Sequence, residues 1–210
     1  MRRLNRPSLL RCVRALAEID SDLAEISSRL GPPPLWERPE GFPTLIHIIL
    51  EQQVSLASAR AAFVRLEAAA RPLTPAAFLA LGDEELKRIG FSRQKTGYGR
   101  NVAEAIATGR LRLEEFARCP DDEVRARLVE IKGIGNWTAD IYLLMAMGRA
   151  DIWPTGDLAL AVAAQRIKRL AARPTPAELG EIGEAWRPMR AVAARLLWHD
   201  YLSHATMDKK

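Results

Sequence analysis

The sequence contains only two cysteines among its 210 residues, and it has no long hydrophobic run. Two cysteines are too few for a disulfide framework or for a four-cysteine metal site. A membrane-spanning helix needs about 20 apolar residues, and a secretory signal peptide needs an apolar stretch behind a basic start. Because neither pattern occurs, we expect a soluble, cytoplasmic protein with no membrane partner.

Strand signals are also scarce. Alternation of β-branched and polar residues never persists, whereas Ala, Leu, Arg and Glu dominate the chain. Periodic apolar residues in such a background are typical of helices, and we predict an all-α fold. A chain of 210 residues is long enough for one large domain or two small ones, each with a substantial core.

Acidic residues are outnumbered by basic ones. Thirty-one Lys and Arg against 26 Asp and Glu give a formal net charge of +5. This balance suits a polyanionic partner but does not identify one, since many basic proteins bind nothing acidic.

Capping and stop signals divide the chain into helices. Ser92, Thr74 followed by Pro75, and Thr175 followed by Pro176 are typical helix starts, and Gly90 is a typical stop. A loop rich in Pro and Gly, residues 31–43, is the one credible linker. The predicted helices cover residues 8–19, 21–30, 44–70, 75–81, 83–89, 93–107, a helix opening at 120–122, 158–170, 176–186 and 188–201.

A glycine-rich turn lies between two predicted helices. Val124 and Leu128 are spaced as one helix face, Ile141 and Leu144 as another, and Gly133-Ile134-Gly135 lies between them. Glycines permit positive φ and let another backbone approach closely. The exposed amides at the start of the second helix suit a phosphate oxygen. The turn is either a phosphate-binding hairpin or an ordinary glycine-capped corner.

An acidic residue follows the turn at the start of another predicted helix. Pro154-Thr155-Gly156 precedes Asp157, and an apolar helical pattern begins at Leu158. The amides of a helix start stabilise an ionised carboxylate, so Asp157 can cap the helix and also oppose positive charge on a sugar. Asp140 and Asp151 are assigned solvated or capping roles.

Residues Leu128–Leu160 resemble the signature of the helix-hairpin-helix (HhH-GPD) DNA glycosylase superfamily. Further matching stretches are Ile48–Ser55, Leu81–Lys95 and Trp186–Arg190 together with Trp198. Gln52-Gln53-Val54-Ser55 and Trp186-Arg187-Pro188 are similar to the alkylbase branch, that of 3-methyladenine DNA glycosylase II.

The resemblance implies two closely packed helical subdomains with a cleft between them. It divides the chain into residues 1–43, with the N-terminal helices and the Pro-rich loop; residues 44–155, with the helix-hairpin-helix at about 121–147; and residues 156–210, with the C-terminal helices that pack back on the N-terminal ones. It also implies a monomer that binds double-stranded DNA containing alkylated bases, and that is nucleoid-associated if the source is bacterial.

The implied reaction is removal of alkylated bases of the 3-methyladenine and 7-methylguanine type. Asp157 is the implied catalytic residue, because the N-glycosidic bond breaks through an oxocarbenium-like cation that a carboxylate stabilises. Trp137 and Trp198 match base-pocket tryptophans, although Ile141 and Leu158 make this pocket less aromatic than in relatives. The alternatives are a glycosylase for uracil or an oxidised purine, and a non-catalytic DNA-binding module.

The resemblance also implies DNA contacts at the matching positions of this chain. The resemblance implies a bend or turn at Gln52–Ser55, within the helix predicted over 44–70, and implies that this segment enters the DNA minor groove. Relatives fill the gap left by the flipped nucleotide from the position of Gln53, but they also use apolar residues there, so this role of Gln53 stays open. The basic side chains between Arg88 and Arg100 are expected to form a solvated face. The implied DNA-binding residues are Gln52, Gln53, Val54, Ser55, Lys132, Gly133, Ile134, Gly135 and Thr138.

No cofactor is required for the implied reaction. The resemblance adds a Na⁺ or K⁺ ion held by the main-chain carbonyls of Val129, Ile131 and Ile134. The two cysteines exclude the iron–sulfur cluster of some superfamily members, since that cluster needs four cysteines. Lyase members carry a lysine just after the hairpin, where this chain has Trp137, and Lys132 is expected to contact phosphate. Base removal without strand cleavage is therefore predicted.

Overall fold

The computed structural model describes residues 3–207, which form twelve α-helices and no strand. The all-α prediction is confirmed, and no described helix is long and apolar enough to cross a membrane. A short 3₁₀ helix at Leu113–Arg118, which the sequence analysis missed, and a π-helical segment at Tyr142–Ala146 complete the elements. The helices are α1 Arg6–Ile19, α2 Ser21–Leu30, α3 Phe42–Glu51, α4 Leu56–Ala69, α5 Pro75–Ala80, α6 Asp83–Ile89, α7 Arg93–Ala107, α8 Asp121–Val129, α9 Asn136–Ile141, α10 Leu158–Ile167, α11 Pro176–Glu184 and α12 Arg190–Met207.

The described helices group into two compact units. The first unit runs up to Glu37 and resumes at Gly148, so it contains α1, α2 and α10 to α12. The second unit, Arg38–Met147, contains α3 to α9. The boundaries predicted from the sequence lay after residues 43 and 155.

Two carboxylates, one of them fully buried, join the helices of the first unit. Asp200 of α12 is 1% exposed and pairs with Arg29 of α2 and Arg166 of α10. Removing a charge from water is costly unless it gains partners of opposite sign. The two guanidinium groups meet that requirement, and they thereby fix α2 and α10 against the same face of α12.

Asp20 performs a similar role at the start of α2. Its side chain accepts the amides of Asp22 and Leu23, and it also accepts Lys168 Nζ at 2.7 Å and Trp186 Nε1 at 2.8 Å. Burial alone would raise the pKa of Asp20, but hydrogen bonds from Lys168, Trp186 and Leu23 lower it. One carboxylate therefore caps α2 and ties it to the residue that ends α10.

Helix α3 forms the centre of the second unit. Leu45, Ile46, Ile48 and Ile49 are all fully buried. The predicted single helix over 44–70 is wrong, because α3 ends at Glu51 and α4 begins at Leu56. The four residues between them form the bend that the family resemblance implies. Ser55 accepts the amide of Ser58 and so caps α4.

The expected solvated basic face is also wrong at two positions in this unit. Lys95 Nζ donates to the carbonyl of Leu50 at 2.7 Å, at the end of α3. Arg100 donates to the carbonyl of Leu81 and to Asp83. Both cations satisfy main-chain carbonyls where helices end, so they hold this unit together rather than extend into solvent.

We predict that Asp20→Asn lowers the free energy of unfolding by about 2 kcal/mol at pH 7, because charge-assisted hydrogen bonds are lost while asparagine still caps α2. The folded pKa of Asp20 lies below its unfolded value of about 3.9. Its charge-dependent stabilisation is therefore complete above that value and is lost as the pH falls through the folded pKa. Denaturant titrations of both proteins between pH 7 and pH 2 measure this difference.

Glu84→Gln is the matched control, because Glu84 and its partner Lys87 are 89% and 77% exposed. It should leave stability nearly unchanged at every pH. A difference between wild type and Asp20→Asn that stays constant down to pH 2 would contradict the assigned role of Asp20.

Candidate functional site

The predicted site residues divide between the two units. The hairpin, Trp137 and the Gln52–Ser55 bend lie in the second unit, whereas Asp157 and Trp198 lie in the first. Each set is built by local structure together with long-range contacts within its own unit.

The hairpin joins α8 to α9 through residues 130–135. The amide of Ile131 donates to the carbonyl of Leu128, and the amide of Ile134 donates to the carbonyl of Ile131 at 2.9 Å. Gly133 has φ +109°, and a Cβ there would lie 2.4 Å from the Tyr98 ring. Gly135 has φ −95°, with no atom within 4 Å of the position that a Cβ would take. The positive φ that glycine permits is therefore used at Gly133 and not at Gly135.

Two side-chain amides hold the carbonyls of this turn. Gln52 Nε2 donates to the carbonyl of Gly133 and to Thr138 Oγ1, both at 3.0 Å. Asn101 Nδ2 donates to the carbonyl of Lys132 at 2.9 Å. No side chain caps the start of α9. The carbonyls of Lys132 and Gly133 are thus bound by side chains of the same unit, which fixes the turn that leads into α9.

Asp140 does not have the solvated role expected of it. It is 6% exposed, and it accepts Arg125 Nε at 2.7 Å, an ion pair that joins α9 to α8. Asp151 pairs with Arg187 and Arg190 and also accepts the amide of Arg190 at the start of α12. Both carboxylates are therefore occupied in holding helices together.

The Gln52–Ser55 bend presents an exposed surface. Gln53 has φ +56°, in a region that residues other than glycine seldom adopt. Val54 is 46% exposed and Leu56 is 58% exposed. Because Gln52 binds the hairpin through its side chain, the conformation of this bend depends on the hairpin beside it.

Asp157 caps α10 and is 9% exposed. Its Oδ1 accepts the amide of Leu160 at 2.9 Å and the indole Nε1–H of Trp198 at 3.0 Å. Trp198 lies on α12 and is 7% exposed. Two donors on one oxygen fix the orientation of this carboxylate. Leu158, directly after Asp157, is 59% exposed.

The sequence analysis missed Trp36, which contacts Trp198. Its ring centroid lies 6.3 Å from that of Trp198 in an edge-on arrangement. An aromatic residue in a proline-rich loop was the only available signal, and nothing local linked it to α12. Trp137, in contrast, lies in the first turn of α9, half-buried, and exposed Lys132 lies in the hairpin turn.

The carbonyls proposed to hold a cation bracket the hairpin. Val129 ends α8, and the carbonyl of Ile131 accepts the amide of Ile134. A carbonyl oxygen has two lone pairs, so the oxygen of Ile131 retains acceptor capacity. Neutral oxygens are chemically suited to Na⁺ or K⁺. Within residues 3–207, no group of three or more His, Cys, Asp or Glu could hold a metal.

A glycine-bearing hairpin followed by an aspartate at a helix start is the arrangement that the resemblance to helix-hairpin-helix DNA glycosylases implies, and the structure contains both parts. Residues 46–188 match the model of the HhH-GPD superfamily base excision DNA repair proteins. That span is more than half of the chain, and the chain belongs to this superfamily.

Individual proteins resemble the chain over most of its length. DNA-3-methyladenine glycosylase 1 of Schizosaccharomyces pombe is 29% identical over 180 residues, which are 84% of this chain and 79% of that protein. The S. pombe 3-methyladenine DNA glycosylase in complex with abasic DNA superposes with a TM-score of 0.82 at 27% identity, covering 90% of this chain and 95% of that one. The DNA-3-methyladenine glycosidase of Bacillus halodurans superposes with a TM-score of 0.75 at 30% identity, covering 98% and 95% of the two chains.

We predict that Gly133→Ala and Gly135→Ala behave differently although both change the same turn. Gly133→Ala should cost about 1–3 kcal/mol, because alanine resists positive φ and its Cβ would displace the Tyr98 ring. Gly135→Ala has ordinary φ and open space, so its unfolding free energy should stay close to that of wild type. Denaturant titration measures both values, and equal losses in the two variants would contradict the described turn.

Proposed function

We propose that this protein removes alkylated bases, of the 3-methyladenine and 7-methylguanine type, from double-stranded DNA by hydrolysing the N-glycosidic bond. The observation that carries the proposal is the geometry of Asp157, whose carboxylate is fixed by the Leu160 amide and the Trp198 indole. The superfamily resemblance assigns the catalytic carboxylate to this position. The 3-methyladenine glycosylases that the chain resembles support the choice of substrate class.

In this proposal Asp157 supplies negative charge rather than a proton. The bond to the base breaks through an oxocarbenium-like sugar cation, and a nearby oriented carboxylate stabilises that cation or orients the attacking water. Orientation matters because a fixed carboxylate need not reorganise as the charge develops. A cationic alkylated purine is already a good leaving group, so the mechanism needs no general acid.

Trp137 and Trp198 are the proposed pocket indoles. An indole face attracts a cationic, electron-poor base by roughly 0.5–2 kcal/mol. Trp198 also donates to Asp157, so it serves the carboxylate as well as the pocket. Leu158, at the position where relatives can carry an aromatic residue, is 59% exposed.

The proposed DNA contacts follow from the second unit. The amides at the start of α9, next to the open space at Gly135, would bind a phosphate, with the exposed Lys132 nearby in the turn. Thr138, the other expected contact, is 1% exposed and accepts Gln52 Nε2, so it supports the hairpin from within the unit. The exposed Gln53, Val54 and Ser55 would enter the minor groove.

We also propose that a Na⁺ or K⁺ ion binds the carbonyls of Val129, Ile131 and Ile134, and that the protein carries no iron–sulfur cluster. We propose that it is monomeric and cytoplasmic.

The test is release of free base from duplexes that each carry one lesion. We predict single-turnover excision of 3-methyladenine and 7-methylguanine by wild type and a loss of about 100-fold or more in Asp157→Asn. The exposed Glu181→Gln, in the same unit, is the matched control and should keep the wild-type rate. Thermal melting and binding to undamaged duplex should be similar in all three proteins.

Uracil and 8-oxoguanine duplexes distinguish the other possibilities. Excision of one of these bases without excision of methylated bases would replace the proposed substrate. Binding of duplex DNA without release of any base would mean a DNA-binding module. Wild-type rates in Asp157→Asn would refute the role of this carboxylate.

We further propose that the protein does not cleave the DNA strand, because no lysine occupies the position of Trp137. Burial lowers the pKa of Lys95, which would favour a nucleophilic amine, but its Nζ donates to the carbonyl of Leu50 inside the second unit. Lys132 is exposed in the hairpin, and its expected partner is phosphate.

Borohydride reduction during the reaction should therefore trap no covalent protein–DNA adduct, and product strands should break only after alkali. A lyase member of the superfamily serves as positive control for trapping. An adduct formed by wild type and lost in Lys132→Ala would identify Lys132 as a Schiff-base lysine and contradict the proposal.

A further inference from the structure

Trp36 has an unusual backbone conformation. It lies in the segment between α2 and α3, in the first unit, with φ +48°. A bulky aromatic residue seldom adopts positive φ, because its side chain crowds the backbone. Such conformations persist only where surrounding contacts impose them, and they cluster at functional sites.

A buried arginine imposes the conformation of this segment. Arg195 of α12 is 1% exposed. Its Nε donates to the carbonyl of Leu35 at 2.8 Å, and its Nη1 donates to the carbonyl of Ala191 at 2.9 Å. Burial lowers the pKa of Arg195 to about 10. A guanidinium group withdrawn from water in this way holds the peptide directly before Trp36 against α12.

The Trp36 ring is thereby directed at two consecutive residues of α12. Its centroid lies 6.3 Å from that of Trp198, with the ring planes at 74°. It lies 6.4 Å from that of His199, with the planes at 83°. Edge-on contacts of this kind are the favoured geometry of aromatic pairs. They restrict the rotation of the Trp198 side chain.

Trp198 in turn holds the carboxylate of the proposed reaction. Its Nε1–H donates to Asp157 Oδ1 at 3.0 Å, and the direction of that bond depends on the orientation of the indole. We infer that Trp36 is a positioning residue, which fixes the Trp198 indole so that its N–H stays directed at Asp157. The effect of Trp36 on the reaction rate rests on the proposed function, whereas its effect on the orientation of the Trp198 indole does not.

A purely structural tryptophan of the same unit provides the comparison. Trp153 Nε1 donates to the carbonyl of Leu179 at 2.8 Å, and its ring lies edge-on to Trp186 with centroids 5.2 Å apart. It is 5% exposed. Trp153→Phe alters a buried indole and an edge-on pair of the same unit, and no contact described here joins the Trp153 side chain to Trp36, Trp198 or Asp157.

The first readout does not depend on activity. The chain has five tryptophans, so the indole N–H signals in a ¹H–¹⁵N spectrum can be assigned by single replacements. In Trp36→Leu, which keeps an apolar side chain but removes the ring system, the Trp198 indole signal should shift and exchange faster with solvent. Trp36→Phe, which restores an aromatic edge, should retain a signal near that of wild type. Trp153→Phe should leave the Trp198 signal in place.

The second readout is the single-turnover rate of base release. Trp36→Leu should be slower than wild type by about tenfold, because a displaced carboxylate loses its alignment with the sugar. Trp36→Phe should recover most of that loss, and Trp153→Phe should keep the wild-type rate even where its melting temperature falls. Affinity for undamaged duplex should be the same in all variants.

The possible outcomes distinguish the proposed function from the positioning inference. If wild type releases no base but Trp36→Leu still displaces the Trp198 indole signal, the proposed function fails and the positioning inference stands. If Trp36→Leu remains folded with an unchanged Trp198 signal and an unchanged rate, the inference is overturned. It is also overturned if Trp153→Phe perturbs the Trp198 signal and the rate as strongly as Trp36→Leu does.

Discussion

The hydrogen bond from Trp198 to Asp157 is the interaction on which the first unit's part of the site depends. It joins α12 to the start of α10, and it acts on the same oxygen that caps α10 through Leu160. The cap of α10 and the proposed reaction therefore depend on the same orientation of the Asp157 carboxylate. A residue that moves the indole also moves the acidic group, which is why Trp36 and Arg195 matter although neither bonds to Asp157 in the contacts described.

In the second unit, too, one side chain serves two parts of the site. Gln52 binds the hairpin at Gly133 and Thr138, and it directly precedes the exposed Gln53. A single amide side chain thus links the turn proposed to bind phosphate with the bend proposed to enter the minor groove. Displacing the hairpin would change the position of Gln53, so backbone binding and nucleotide flipping are physically coupled in the proposed reaction.

Buried and partly buried charges fix the packing of several helices in this chain. Asp200 and Asp20 hold α2 to the C-terminal helices, Arg195 holds the proline-rich segment, and Arg125 with Asp140 joins the hairpin helices. An ion pair withdrawn from water favours the arrangement that keeps its charges together, because separating them would leave a charge unpaired. That constraint suits a protein whose site residues come from distant parts of the sequence.

The sequence alone determined the features that local chemistry controls. Caps such as Ser92, Thr175 and Asp157 were predictable because each satisfies helix amides within three residues, and Gly133 was predictable because only glycine suits its φ. Helix content followed from such signals, and the family followed from the resemblance of Leu128–Leu160 and the other matching stretches to known glycosylases. Only the tertiary structure decided the burial of Asp140, the carbonyl bound by Lys95 and the contact of Trp36 with Trp198. Each of those depends on a partner far away in the chain, and no local spacing or propensity encodes which distant group will satisfy a buried donor or acceptor.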